Sequence, residues 1–301
     1  MAQTLDRERV ASRRATALFV AVSVLWGLPY GLIAIALDEG FTAPAVAVGR
    51  VAIAAGALVA IALARGGFAA LRGRGRFVVA VAVLDVAAPF ALVTYAEESI
   101  SSSATGVLVA STPLWVAALA LRFDRSERVR RDQLLGIAVG LLGVGLLLGL
   151  GSVGTGVVGG GAMVLLASLG YAAASLIVKL RLADVPPLAL TAAALAVATL
   201  ALAPFALADP PDAAPTAEGW AALVALGLAC TAAAFVLFYA LIAEAGAGRA
   251  ALITYVAPIF AVLLGVLALD EGFTAANAAG VALILGGAWL AARPAGAGYG
   301  L

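Results

Sequence analysis

The sequence contains no histidine, a single cysteine (Cys230) and few charged residues, which make up 12% of its 301 positions. Histidine and cysteine provide most of the chemistry of metal, haem and disulfide sites, and histidine is the usual base of Ser-His hydrolases. These absences argue against zinc-dependent membrane proteases and Ser-His intramembrane hydrolases. A membrane-embedded enzyme would need a cluster of nucleophile, base or metal ligands, and no such cluster is visible. We therefore expect neither an enzyme nor a bound cofactor or metal.

What the sequence has in abundance is apolar residues, at 64% of the chain. Soluble domains contain about 45–50% apolar and about 25% charged residues, so a soluble protein of this composition could not cover its surface. A membrane-spanning protein must satisfy its backbone with helices or a closed barrel. Barrel strands alternate in polarity, whereas the apolar runs here are unbroken and rich in Ala, Leu and Gly. The composition predicts an all-α membrane protein.

Windows of about 20 apolar residues, the length that crosses a bilayer, divide the chain into ten predicted spans. The first follows Arg13 and Arg14 and is too long for the core of a signal peptide. The uncharged stretch 133–178 is too long for one crossing, and its Gly-rich part 149–161 predicts a turn. The predicted spans are 16–37, 43–64, 77–95, 100–121, 133–151, 157–178, 187–208, 219–243, 250–269 and 273–292.

The basic residues are distributed by loop. Of the 18 Lys and Arg, 17 fall in the two termini and in loops 2–3, 4–5, 6–7 and 8–9, and the remaining one is Arg50. The positive-inside rule then places both termini in the cytoplasm, and we expect a multi-pass protein of the cell (inner) membrane. The basic loops need only orientation and contact with anionic lipid as explanation. The expected partners are the lipid bilayer and a small-molecule substrate, not a nucleic acid; a homodimer stays open.

The word LDEGFTA occurs twice, at 37–43 and 269–275, both in predicted outer loops. A true duplication should instead appear at one constant offset. At an offset of 144 or 145 residues Trp26 matches Tyr171, Tyr95 matches Tyr239 and Pro113 matches Pro258. Because five helices is an odd number, the second half then enters the membrane from the opposite side, as in inverted repeats of secondary transporters. The predicted organisation is an N-terminal cytoplasmic tail 1–15, repeats 16–151 and 157–292, and a C-terminal cytoplasmic tail 293–301.

The motif WGLPYG in the first predicted span, the stretch APIFAVLLGVLALDEGFTAANAAGVALILGGAWL (257–290) and its counterpart at 111–148 resemble the EamA-type branch of the drug/metabolite transporter superfamily. The resemblance covers essentially the whole chain. It implies ten transmembrane helices in two inverted five-helix halves, a central cavity lined mainly by helices 1–4 and 6–9, and export of small metabolites such as amino acids or drugs. In one respect the sequence departs from the family pattern, since Asp270-Glu271 replaces the frequent Gly-Glu before the last helix.

Two ionisable residues lie well inside the predicted spans. Asp85 is about 12 Å from the cytoplasmic edge of its helix, at about 1.5 Å per residue. Four residues later, Pro89 has no N–H and cannot donate the helical hydrogen bond to the Asp85 carbonyl. Arg50 lies nearer the outer side. Intramembrane charges usually mark a substrate or ion pathway, so both are candidates for substrate binding or coupling. The alternatives are that Arg50 extends to the outer interface and that Asp85 is a satisfied structural group.

Aromatic and proline side chains complete the candidate set. The aromatic residues could stack on a substrate or hydrogen-bond to it, with simple packing as the alternative. The prolines are expected to interrupt helices where the backbone lines a cavity or flexes. The substrate-contact candidates are Trp26, Tyr30, Tyr171, Tyr239 and Tyr255, and the helix-break candidates are Pro29, Pro89, Pro113 and Pro258.

These features together predict a secondary active transporter that exports small metabolites by alternating access. No phosphate-binding loop is visible, because GTGVVGGG lacks the Lys-Ser/Thr of a P-loop, so the energy should come from a gradient, with proton coupling through Asp85 as one possibility. An uncoupled facilitator or channel with the same cavity remains the alternative.

Overall fold

The computed structural model describes residues 2–123, 131–147 and 155–291. The predicted turn at 149–161, the loop 4–5 and the C-terminal tail 293–301 lie wholly or partly outside these residues. Within them the chain is helical and no strand is present. The helices are α1 Ala2–Gly27, α2 Pro29–Asp38, α3 Ala43–Ala64, α4 Gly75–Val81, α5 Ala88–Ala96, α6 Ser102–Val109, α7 Thr112–Phe123, α8 Arg131–Leu147, α9 Thr155–Arg181, α10 Pro187–Ala208, α11 Ala217–Val224, α12 Ala234–Ala245, α13 Ala247–Ala251, α14 Ile253–Ala268 and α15 Ala275–Ala291.

Several of these helices join end to end into longer apolar rods. In the described residues, 8 helical rods are long and apolar enough to cross a membrane. Two shorter apolar helices, Asp132–Leu147 and Ala275–Ala291, occupy the places of the fifth and tenth predicted spans. The all-helical class is therefore confirmed, and ten separate crossings remain a prediction.

Two rods contain a π-helical segment. Ala82–Ala87 joins α4 to α5, and Ala225–Ala233 joins α11 to α12. A π-helical turn leaves a wider backbone ring and is frequent at functional sites. The first segment precedes Pro89, whose nitrogen cannot donate to a carbonyl one turn back. In the second, the Thr231 hydroxyl donates to the Leu226 carbonyl at 2.8 Å, which satisfies a backbone acceptor of the loosened ladder.

The packing partners recur in related pairs. Helix α3 packs against α10, and α8 packs against α15. Helix α9 contacts α5 and α7, while α1 contacts their later counterparts α12 and α14. Helices at corresponding positions of the two halves thus pack against corresponding partners, and each of these partners belongs to the opposite half of the chain.

Glycines bring α8 and α15 into backbone contact. A Cβ on Gly136 would lie 2.6 Å from the Ala291 nitrogen, and one on Gly287 would lie 2.5 Å from the Gly140 nitrogen. Side chains at these positions would therefore push the helices apart. Small residues permit such close contact between membrane helices, and they explain how these two short helices pack tightly against each other.

Candidate functional site

The centre of the bundle carries one acid, Asp85, in the first π-helical segment. Within the 22-residue rod Gly75–Ala96 it is close to the midpoint. Its side chain is partly buried by the neighbouring helices. Among the described residues its carboxyl has no hydrogen-bond or ion-pair partner. It interacts electrostatically with the phenols of Tyr171 and Tyr239. That Asp85 serves a ligand stays a prediction.

Arg50 is buried, with 8% of its surface exposed, and its guanidinium points into the bundle. Its Nε donates to the Thr231 hydroxyl at 2.9 Å, and its Cζ lies 4.2 Å from the centre of the Phe90 ring. The alternative that Arg50 extends to the outer interface is therefore wrong. A buried cation usually needs a carboxylate, but the direct contacts of the Arg50 guanidinium with the described residues are one hydroxyl and one aromatic face.

Arg50 and Asp85 do not form an ion pair in the described part of the chain, where the pairs within 4.0 Å are Arg14 with Glu244 and Arg74 with Asp184. Tyr171 lies within electrostatic range of both, although no hydrogen bond among the described residues joins it to either. Arg50 also interacts with Tyr30, and Asp85 with Tyr239. We call Arg50, Asp85, Tyr30, Tyr171 and Tyr239 the polar path, since each lies within electrostatic range of at least one other inside the apolar bundle.

The predicted aromatic candidates divide into two groups. Tyr30, Tyr171 and Tyr239 belong to the polar path, and the Tyr239 hydroxyl forms a short hydrogen bond with Thr191 on α10. Trp26 packs against Phe235 and Phe238, with ring centres 5.8 Å and 4.7 Å away, and Tyr239 contacts the same two rings at 6.0 Å and 6.1 Å. Tyr255 packs against the apolar cluster around Leu114 and Ala288. Trp26 and Tyr239 thus share the same two aromatic neighbours, and Tyr255 lies in a separate apolar cluster.

The predicted helix-break prolines also differ. Pro29 begins α2 after the interruption at Leu28, Pro89 lies in the first turn of α5, and Pro113 lies in the first turn of α7. Pro258 does not break its helix. It lies inside the continuous α14, and the interruption in this rod falls at Leu252, between α13 and α14. The prediction for Pro258 is wrong because a membrane helix tolerates a missing N–H when its neighbours pack closely.

A second group of polar residues, which the sequence did not single out, lies at the end of the molecule that carries both LDEGFTA copies; we call this the acidic end. Glu271, between α14 and α15, accepts hydrogen bonds from the backbone N–H groups of Ser102 at 2.7 Å and Ser103 at 3.0 Å. Anions are stabilised at helix N-termini by the free N–H groups and the helix dipole. The loop of the last two helices is thereby fastened to the start of α6.

Glu97 stands beside this contact. The Ser102 hydroxyl lies 3.1 Å from the Tyr30 carbonyl and 3.2 Å from Oε2 of Glu97, and can donate to either. Oε1 of Glu97 is buried without a hydrogen-bond partner. Burial, and to a smaller extent the charge of Glu271, raise the pKa of Glu97 well above its usual range, although Ser102 and Arg50 oppose the shift.

Sequence reasoning missed Glu97, Glu271, Ser102 and Thr231. Glu97 and Glu98 look like ordinary loop acids after a span, and the contact partner of Ser102 is 169 residues away. One available signal was the polar run ESISSS (98–103), which is unusual between two apolar spans. Ser111, just before α7, and Trp115, in α7, also carry buried polar atoms without a hydrogen-bond partner among the described residues.

Comparison with known proteins gives consistent results. A profile of the EamA-like transporter family matches residues 13–149 and, a second time, residues 159–293. The uncharacterized transporter YetK of Bacillus subtilis (strain 168) is 28% identical over 229 residues, covering 73% of this chain and 69% of that protein. A solved crystal structure has a TM-score of 0.64 at 25% identity, over 92% of this chain and 96% of the other. With eight helices fit to cross a membrane and both halves matching one profile, the chain is a multi-pass membrane protein of the EamA-like transporter family.

Proposed function

We propose that the protein is a secondary active transporter that exports a small metabolite by alternating access, with proton coupling through Asp85. The observation that carries the proposal is a carboxyl near the middle of a membrane rod, with no hydrogen-bond or ion-pair partner in the described part of the chain. Keeping an ionisable group there is costly, and such groups usually serve an ion or substrate. The π-helical segment gives the backbone around Asp85 freedom to rearrange.

We further propose ten crossings in two inverted five-helix halves, with both termini in the cytoplasm. Three observations support this arrangement: the packing partners recur in related pairs, the two π-helical segments Ala82–Ala87 and Ala225–Ala233 occupy corresponding places, and one family profile matches each half. Inverted halves with a central path are a common architecture for alternating access.

The substrate contacts proposed are Asp85, Tyr171 and Tyr239 on one side and Arg50 with Tyr30 on the other. A carboxylate and a guanidinium on either side of a phenol can bind a molecule that carries groups of both charges, as amino acids do. The Ser111 hydroxyl, just before α7, and the Trp115 Nε1–H, in α7, are further hydrogen-bond donors proposed for the substrate. A protein that only conducts would use the same path, so an uncoupled facilitator is the second candidate function.

The test begins with a stabilisation screen of the purified protein against amino acids, sugars, nucleosides and cationic drugs. The compound found is then loaded into proteoliposomes, and its movement is followed with and without a pH gradient. We expect Asp85→Asn to abolish gradient-driven accumulation while downhill exchange continues. Asp38→Asn, at an exposed position, is the matched control. Gradient-independent movement in the wild type would favour the facilitator, and an Asp85→Asn protein with unchanged transport would reject the site.

A further inference from the structure

We propose that Glu97 is a proton-binding site that controls the acidic end of the transporter, and that the end is closed when Glu97 is protonated and opens when the proton leaves. This inference rests on the proposed transport function but concerns a different acid. It assigns to Glu97 the opening step on the side opposite the basic loops, whereas Asp85 remains the central acid.

The contact that would open joins the two halves of the chain. Glu271 belongs to the second half and docks on Ser102 and Ser103 of the first, through both carboxylate oxygens. Space for the carboxylate depends on Gly265, where a Cβ would lie 2.3 Å from Oε2 of Glu271 and 2.2 Å from the Ser103 hydroxyl. Ser103 is buried with 7% exposure, and its hydroxyl has no partner. In the docked state the Glu271 carboxylate has little free space around it, while the buried Ser103 hydroxyl has no hydrogen-bond partner among the described residues.

Glu97 is the member of this group that cannot easily be charged while the contact is made. Its Oε1 is buried without a partner, and Glu271 beside it is an acid already engaged with backbone N–H groups. The remaining groups that face it are Tyr30 and the Ala34 backbone from α2, Ser102 from α6 and Arg50 from α3. Arg50 is more than 4.0 Å from any carboxylate of the described residues, and its Nε is engaged by Thr231. A negative Glu97 would therefore be supported by the Ser102 hydroxyl and the Ala34 backbone, but by no cation of the described residues within 4.0 Å.

The direction of the pH effect follows from this environment. The pKa of Glu97 is raised in the docked state, mainly by burial, and should return towards its ordinary value when the end opens to water. The docked state is then favoured below that raised pKa and is lost as the pH rises through it. Opening would release the proton to the side on which the acidic end faces.

The native Cys230 provides a reporter without any added label. It is the single cysteine of the chain, is buried with 1% exposure, and interacts electrostatically with Arg50. The rate of its reaction with a membrane-impermeant maleimide can be measured in proteoliposomes that expose the acidic end. Wild type, Glu97→Gln and Glu98→Gln are compared at each pH, so that the ordinary pH dependence of thiol reactivity cancels. Glu98 is the matched control because it is adjacent and exposed.

We expect the three proteins to react at similar slow rates at low pH. As the pH rises, wild type and Glu98→Gln should accelerate relative to Glu97→Gln by up to about tenfold per pH unit, since deprotonation is tenfold per unit. A Glu97→Gln protein that follows wild type at every pH would overturn the proposal, as would equal effects of Glu97→Gln and Glu98→Gln.

Gly265→Ala keeps the test decisive if Glu97→Gln fails to fold. The added methyl displaces Glu271, so labelling of Cys230 should be fast relative to wild type at low pH and lose its excess pH dependence. Unchanged labelling in Gly265→Ala would also reject the proposal. Neither readout requires a substrate or Asp85, so failure here leaves the transport proposal standing, and failure of the Asp85 test leaves this one.

Discussion

The two copies of LDEGFTA have the same seven residues and different structures. In the first, α2 ends at Asp38, Gly40 adopts a left-handed φ of 99°, and the Phe41 N–H donates to the Ala36 carbonyl at 3.1 Å. In the second, α14 ends at Ala268, before the acidic pair, and the left-handed residue is Asp270 with φ 52°. The same kind of helix termination occurs in both copies but is shifted by two residues.

The partners available at each site account for the shift. In the first copy Phe41 is buried, with its ring 5.0 Å from that of Trp220, so the chain turns where this side chain can enter the core. In the second copy Phe273 is 42% exposed, and Glu271 enters the interior to bind the start of α6. Identical local preferences thus leave two endings open, and tertiary contacts select one.

Removing the aromatic ring should distinguish the two copies most strongly. Phe41→Ala deletes a buried ring and should lower the free energy of unfolding by about 3–5 kcal/mol. Phe273→Ala removes a ring that is largely exposed and should change it by no more than about 0.5 kcal/mol. Denaturant unfolding of both variants in one detergent measures the difference. Equal losses would mean that burial of Phe41 does not determine the first ending.

Removing the glutamate should destabilise the second copy of LDEGFTA more than the first. Glu271→Ala leaves two helix N–H groups without their charged acceptor, a loss of about 1.5–3 kcal/mol. Glu39 hydrogen-bonds the Thr216 hydroxyl at a site nearer the surface, so Glu39→Ala should cost about 0.5–1 kcal/mol. The same unfolding measurement applies, with Glu39→Ala as the matched control. A larger loss at Glu39 would contradict the role assigned to Glu271.

The sequence was sufficient for much of the fold, because long uncharged runs have few ways to satisfy their backbone in a membrane. It also identified Asp85 and Pro89 as neighbours, since their spacing alone places the missing N–H opposite the Asp85 carbonyl. It could not show that Arg50 turns inward, because that depends on Thr231, which is 181 residues away. Nor could it distinguish Glu97 from Glu98. Their difference lies in what packs around them, which no local pattern records.

Replacing the glycine of LDEGFTA tests the shifted helix ending with a smaller expected effect. Gly40→Ala places a Cβ on a left-handed residue and should destabilise the protein by about 1 kcal/mol. Gly272 is not in this conformation and has open space around it, so Gly272→Ala should be close to neutral. Thermal unfolding of the two variants side by side is sufficient. A destabilised Gly272→Ala would show that the second copy needs its glycine for another reason.

The aspartate gives the smallest effect and the clearest contrast, because the same substitution should have different signs in the two copies. Asp270→Gly removes the strain of a left-handed non-glycine residue, worth about 1 kcal/mol, against about 0.4–1 kcal/mol of added unfolded-chain entropy. We expect a result between neutral and slightly stabilising. Asp38→Gly, at the last residue of α2, gains no such relief and should cost about 0.5–1 kcal/mol.

The Asp270→Gly variant also addresses why this chain has aspartate where the family pattern before the last helix often has glycine. A left-handed backbone favours glycine and tolerates aspartate, so Asp270 can occupy that position without changing the ending that delivers Glu271 to Ser102. Cys230 labelling at one pH should therefore be the same in Asp270→Gly and wild type, while Glu271→Ala labels faster. If Asp270→Gly labels like Glu271→Ala, the aspartate itself would be part of the docked contact, and backbone conformation would not explain its presence there.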